Sequence, residues 1–210
     1  MVIAIDGPAG TGKSTIAKRI ARHFNMTFLN SGSFYRGVTL LLLENNKDMQ
    51  DFEAVCEFAR KLTIDYINER LVIDKRDVDD LLHTDRVDQH VASLSSIPEL
   101  RSIVNEKIRF ITKSQSIVCE GRDMTTIVFP NADYKFYLDA SLDVQAQRRF
   151  DQGLSELSLE EIKDAIRERD RIDKSKTVGA LKKAEDAVYI DTSDLTIEEV
   201  CAIIVSKINI

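Results

Sequence analysis

Near the start of the chain, Gly7-Pro8-Ala9-Gly10-Thr11-Gly12-Lys13-Ser14 keeps the spacing Gly-x-x-x-x-Gly-Lys-Ser. Glycines at this spacing take backbone angles that a Cβ would forbid, so successive amide N–H groups can turn inward around the β-phosphate of a nucleoside triphosphate. Lys13 then reaches the β- and γ-phosphates, and the Ser14 hydroxyl suits a Mg²⁺ ion held against them. The rival reading is a glycine-rich turn with no ligand. Context argues against it. The apolar run Val2-Ile3-Ala4-Ile5-Asp6 precedes the loop as a strand, and Ile16, Ala17, Ile20, Ala21 and Phe24 follow at helical spacing, aiming a helix N-terminus at the same phosphates.

The elements that must carry this loop follow in alternation. Thr27–Asn30 reads as a strand, Ser31-Gly32-Ser33 as a turn, and Phe34, Val38, Leu41 and Leu42 as one face of a helix. After a helix from Phe52 to Leu62, Thr63–Ile67 and Arg70–Asp74 alternate apolar with polar residues around Asn68-Glu69, a β-hairpin pattern. Helices are predicted over 86–95 and 98–113, strands over 116–120, 134–138 and 187–191, and helices over 142–152 and 159–172. A closing helix runs to about Lys207, capped by Thr196. This order predicts an α/β fold: a five-stranded parallel sheet flanked by helices, a small antiparallel insertion and a helical lid. As a single P-loop domain over 1–210, the partition is a core of 1–61, 97–149 and 177–210, a monophosphate-binding insertion of 62–96, and a lid of 150–176.

With 43% hydrophobic and 30% charged residues, the composition is that of a soluble globule. A net charge of −6 argues against nucleic acid as partner, because backbone binding needs a basic face. No stretch approaches the roughly 18 apolar residues of a membrane span. The loop begins too near Met1 for a leader ahead of it, so a cytoplasmic protein is expected. Cys56, Cys119 and Cys201 lie in apolar contexts without metal-site spacing and read as small buried hydrophobes.

A phosphate loop names the donor and leaves the reaction open. Two further segments narrow it: Asn30-Ser31-Gly32-Ser33-Phe34-Tyr35-Arg36, and Gly121-Arg122-Asp123-Met124 with the Thr125–Ala132 run behind it. Together with Ile5–Ser14 and the lid run Arg167–Asp173, they make the chain resemble the bacterial cytidylate kinases. The resemblance implies a monomer that moves the γ-phosphate of ATP, with Mg²⁺, to CMP or dCMP. Gly7, Pro8, Ala9, Gly10, Thr11, Gly12, Lys13, Ser14 and Thr15 form the ATP-binding set. A monophosphate is already largely a dianion at neutral pH, so His23, His83 and His90 are not needed as a base. Repulsion between two polyanions is the obstacle, and Lys13 with Arg36, Arg122, Arg148, Arg169 and Arg171 are the candidates to offset it.

Arg36 and Arg122 follow turns at the ends of expected strands, where ligands gather in open α/β sheets, and are assigned to the acceptor phosphate; the alternative is two ordinary surface arginines. The resemblance points Arg101 and Asp123 at the base. A guanidinium donating to N3 and O2 and a carboxylate accepting from the exocyclic amine would fit cytosine and mismatch uracil. Magnesium coordination is the competing role for Asp123, and a surface helix charge the one for Arg101. Glu120 stands where the family has Asp and is a candidate metal ligand one methylene longer. Ser31 resembles a ribose or phosphate contact, and Tyr35 a wall of the acceptor pocket or simple core. Arg169 and Asp173 are implied near the ribose and the transferring phosphate, and Lys176 stands in place of the usual arginine. Six basic and six acidic residues between Glu160 and Lys176 would equally describe a solvated helix. Two rivals remain: a kinase for UMP, AMP or shikimate, and a regulatory nucleotide-binding module, which would more often carry an Asn-Lys-x-Asp signature that this sequence lacks.

Overall fold

The structure is a computed structural model and describes residues 1–153 and 157–209. In chain order the elements are β1 (Val2–Asp6), α1 (Lys13–His23), β2 (Thr27–Asn30), α2 (Ser31–Glu44), α3 (Phe52–Lys61), β3 (Ile64–Ile67), β4 (Arg70–Ile73), β5 (Arg76–Asp77) and α4 (Asp85–Leu94). They continue with α5 (Pro98–Thr112), β6 (Ile117–Gly121), β7 (Tyr134–Asp139), α6 (Leu142–Asp151), α7 (Leu159–Ser175), β8 (Val188–Asp191) and α8 (Ile197–Lys207). The chain divides into two compact units, one of Met1–Phe28 with Ser116–Ile210 and one of Leu29–Gln115. Leu154, Ser155 and Glu156 of the expected lid lie outside the described residues.

The first unit is built on the predicted five-stranded parallel sheet, in the order β2-β6-β1-β7-β8. Its central strand β1 pairs with β6 on one side, Ala4 opposite Cys119, and with β7 on the other, Ile5 opposite Phe136. Ile3, Ala4 and Ile5 have no exposed surface, because a strand covered on both faces must be apolar throughout. Ile16, Ala17, Ile20 and Ala21 of α1 and Val200 and Ile204 of α8 join this core. A capping box starts α8: Thr196 N donates to Glu199 Oε2 at 2.8 Å while Thr196 Oγ1 accepts from Glu199 N at 3.2 Å. Ile162 and Ile166 of α7 bury against Ala146 of α6, so this highly charged helix has one apolar stripe.

In the second unit α2 begins earlier than its turn-like sequence predicts. Ser31, Gly32 and Ser33 are helical because the Asn30 side chain accepts from Gly32 N at 2.8 Å and caps the helix. The expected hairpin is present, with Asn68 and Glu69 at φ of 52° and 61°, the left-handed pair that a two-residue turn requires. A second such turn at Asp74 and Lys75 adds the two-residue strand β5, too short to show alternation in sequence. Phe34 is fully buried and stacks on Tyr66 with ring centroids 5.9 Å apart. Of the cysteines, all free, Cys56 and Cys119 are buried and Cys201 is only half-buried at the edge of the core, a correction to its expected burial. Among the described residues, no helix is long and apolar enough to cross a membrane.

Candidate active site

The phosphate loop leaves the C-terminal end of β1 under tight steric control. A Cβ at Gly7, where φ is 153°, would stand 2.0 Å from Leu138 O; at Gly10, where φ is 74°, it would meet the Gln145 Cβ at 2.9 Å. Only glycine fits either place. Gly12 precedes α1 and caps it with no side chain, which leaves the first-turn amides of α1 turned toward the loop. Inside it Thr11 Oγ1 donates to Pro8 O at 3.2 Å, and Lys13 Nζ donates to the same carbonyl. Burial pushes the Lys13 ammonium down to about pKa 7, helped by the positive charge of Arg122 and opposed by Glu120 and Asp6. A polyphosphate at this loop restores the charge that burial disfavours.

Around Lys13 the first unit gathers most of the predicted residues from three elements. The Ser14 hydroxyl donates to Glu120 Oε1 at 2.7 Å, joining the first turn of α1 to the end of β6. A hydroxyl and a carboxylate are hard oxygen donors of the kind Mg²⁺ takes, so this pair fits the metal implied by the sequence. Arg122, one residue past β6, donates from Nε to Asp173 Oδ2 at 2.8 Å, and Lys176 Nζ donates to Asp173 Oδ1 at 2.9 Å. Burial raises the pKa of Asp173, but Arg122 and Lys176 outweigh it and hold the carboxyl below the ordinary value of 3.8. Arg169 is close enough to Lys13 for its charge to be felt there. Asp123 is buried beside Arg122. Two candidates stand apart from this group. Arg148 donates to Thr192 Oγ1 at 2.9 Å, and Thr192 in turn reaches Thr11 O, which puts Arg148 on the β8 side of the phosphate loop. The Arg171 side chain is 68% exposed and pairs with Glu168, three residues back on its own helix.

The other candidates belong to the second unit. Ser31 is buried in the first turn of α2. Tyr35 is buried, donates to Asn105 Oδ1 at 3.2 Å, and carries the Arg101 guanidinium 5.3 Å from its ring centroid. Arg101, 3% exposed on α5, donates to Ser95 O at 2.8 Å, so it is a buried cation and not a surface helix charge. Arg36 reaches from α2 to Leu82 O at 3.0 Å and to Asp88 at 2.6 Å. The buried aromatic, guanidinium and amide form one polar wall.

Several participants have no local sequence signature. Asn105 and Thr192 bond partners 70 and 44 residues away. Asp170 accepts from Ala9 N at 3.4 Å, an α7 carboxylate against a phosphate-loop amide. Asp6 is fully buried and accepts from Met124 and Thr125; burial pushes its pKa up to about 6. Its one signal is an acid at the end of an apolar strand. Chemically, the first unit offers a helix N-terminus, a buried ammonium, a hard-donor pair and the positive charge of Arg122 and Arg169 nearby, a constellation for holding phosphates and stabilising charge as one is transferred.

Comparison with known proteins agrees over the whole chain. A family model described as Cytidylate kinase matches residues 3–210. A cytidylate kinase of Caldanaerobacter subterraneus subsp. tengcongensis is 41% identical over 201 residues, covering 94% of this chain and 90% of its own. One from Fusobacterium nucleatum subsp. nucleatum is 37% identical over 212 residues, covering 100% and 97%. Among solved structures, an uncharacterized protein from Eubacterium ventriosum superposes with a TM-score of 0.55 at 15% identity over 99% of this chain and 97% of its own. A shikimate kinase from Bacteroides thetaiotaomicron gives a TM-score of 0.50 at 12% identity, with the same coverages. The two structures speak to the fold alone.

Proposed function

This chain belongs to the cytidylate kinase family, and from that premise we propose that it transfers the γ-phosphoryl group of ATP to CMP or dCMP, giving ADP and CDP or dCDP. The observation that carries the reading is the match over residues 3–210, which takes in the donor loop, the Arg122-Asp123 pair and the lid together. The attacking oxygen belongs to a phosphate with a second pKa near 6, so it needs no general base. What the protein must supply is position and positive charge. Loop amides and Lys13 hold the donor phosphates, while Arg36 and Arg122 hold the acceptor phosphate bidentately and in line. Arg169, and more remotely Arg148 and Arg171, add positive charge around the transfer, and Lys176 supplies a point charge beside Asp173. Ser14 and Glu120 are the residues that would hold Mg²⁺, which when bound neutralises charge on the phosphate oxygens.

Arg101 and Asp123 read the base. The exocyclic amine of cytosine donates to the carboxylate; the uracil carbonyl would leave that carboxylate unpaired in a buried place, the kind of mismatch that rejects an analogue strongly. Ser31 contacts the ribose or the phosphate, Asp173 lies in the region of the ribose and the transferring phosphate, and Tyr35 walls the pocket. Residues 62–96 serve as the monophosphate insertion and 150–176 as a lid whose closure excludes water from the γ-phosphate. In this reading the chain acts as a monomer on small nucleotides of the cytoplasm. Offering CMP, dCMP, UMP, AMP and shikimate with Mg-ATP and following ADP release tests the assignment. Cytidine acceptors should turn over fastest; a faster rate on any other acceptor contradicts it.

A further inference from the structure

Asp6 is an ionisable group the scheme above does not use, and both of its carboxylate oxygens are hydrogen-bonded. Its Oδ1 accepts from Met124 N at 2.9 Å, and its Oδ2 accepts from Thr125 N at 2.7 Å and from Thr125 Oγ1 at 2.6 Å. All three donors lie in the first turn of the short helical segment Met124–Val128, whose own N-cap residue, Asp123, makes no side-chain capping bond. Asp6 is therefore a cap supplied from 118 residues away. It is fully buried, and its charge is felt at Lys13. A buried charge of this kind is costly, and only a carboxylate can accept from three donors at once; an asparagine would turn an amine toward an N–H.

The two ends of this contact are not neutral places. Asp6 is the last residue before Gly7, and in the sheet it lies opposite Gly121. Met124 directly follows Arg122 and Asp123, the residues assigned to the acceptor phosphate and the base. We infer that Asp6 is a positioning residue for phosphoryl transfer: by gripping the turn behind Arg122 and Asp123, it sets both side chains in register with the phosphate loop. The inference rests on the roles proposed for that pair.

The test is a double-mutant cycle on the full chain, with ATP affinity measured alongside. Asp6→Asn should keep ATP binding close to that of the parent and lower kcat with CMP by about 10²-fold, the scale of loss when catalytic groups shift by an ångström. The CMP over UMP preference should shrink with it. In an Arg122→Ala background the same substitution should cost almost nothing in kcat, since it acts through the group already removed. If the two losses multiply, or if ATP affinity falls as much as kcat, Asp6 does not act through Arg122 and the inference is overturned. Should Asp6→Asn not fold, Thr125→Val removes one of the three donors and is read by the same cycle, where non-additivity with Arg122→Ala supports the inference and multiplication ends it. A parent chain that leaves CMP untouched would instead defeat the proposed function before any variant is made.

Discussion

Arg122 does two things at once: its Nε is fixed by Asp173, and its charge bears on Lys13. Arg122→Ala should therefore lower turnover by about 10³-fold, the scale known for transition-state arginines. Arg122→Lys should recover little, because a flexible point charge cannot replace a planar fork. Single-turnover kinetics with saturating CMP measures both, and a near-normal rate in the alanine variant would remove Arg122 from the chemistry. Asp123→Ala should chiefly erode the preference for CMP over UMP. Equal loss on both pyrimidines in kcat/KM would favour the magnesium role instead. Lys13, Ser14 and Arg122 were legible in sequence because their neighbours in the chain form the motif. Asn105, Thr192 and Asp6 were not, because each acts through a partner 44 to 118 residues distant that no spacing rule reports.

At the scale of elements, the caps and apolar stripes did most of the work of prediction. Thr196 was legible as a helix start, and the capping box it forms with Glu199 holds α8, whose Val200 and Ile204 fill the core. Thr196→Ala should cost about 1 kcal/mol of unfolding free energy with kcat unchanged. Chemical denaturation beside a kinetic assay checks this, and an unchanged midpoint would mean the cap contributes nothing. What sequence hid at this scale was set by contacts away from the local pattern. Strand β5 exists because β4 offers it an edge, and α2 starts at Ser31 because the Asn30 side chain, not an apolar periodicity, decides where it begins. The turn at Met124–Val128 is capped from another strand and so left no mark in its own residues.

Across the whole molecule, the alternation of strands and helices announced the parallel sheet, since strands buried on both faces must read as unbroken apolar runs. The electrostatics were less legible, because they depend on which charges burial brings together. Asp173 is the clearest case: with its folded pKa held below 3.8, it adds stability above that pH and loses it as the pH falls through the depressed value. The stability difference between the parent and Asp173→Asn, from urea titrations between pH 6 and pH 3, should accordingly shrink below about pH 4. A difference that does not change with pH would separate Asp173 from Arg122 and Lys176. All these charges serve one proposition, that the γ-phosphoryl group is delivered to a nucleotide and not to water. ³¹P NMR of the purified chain with saturating Mg-ATP and CMP tests it most directly. CDP and ADP should appear one for one with little inorganic phosphate; ADP accompanied by inorganic phosphate, with CMP unconsumed, would contradict it.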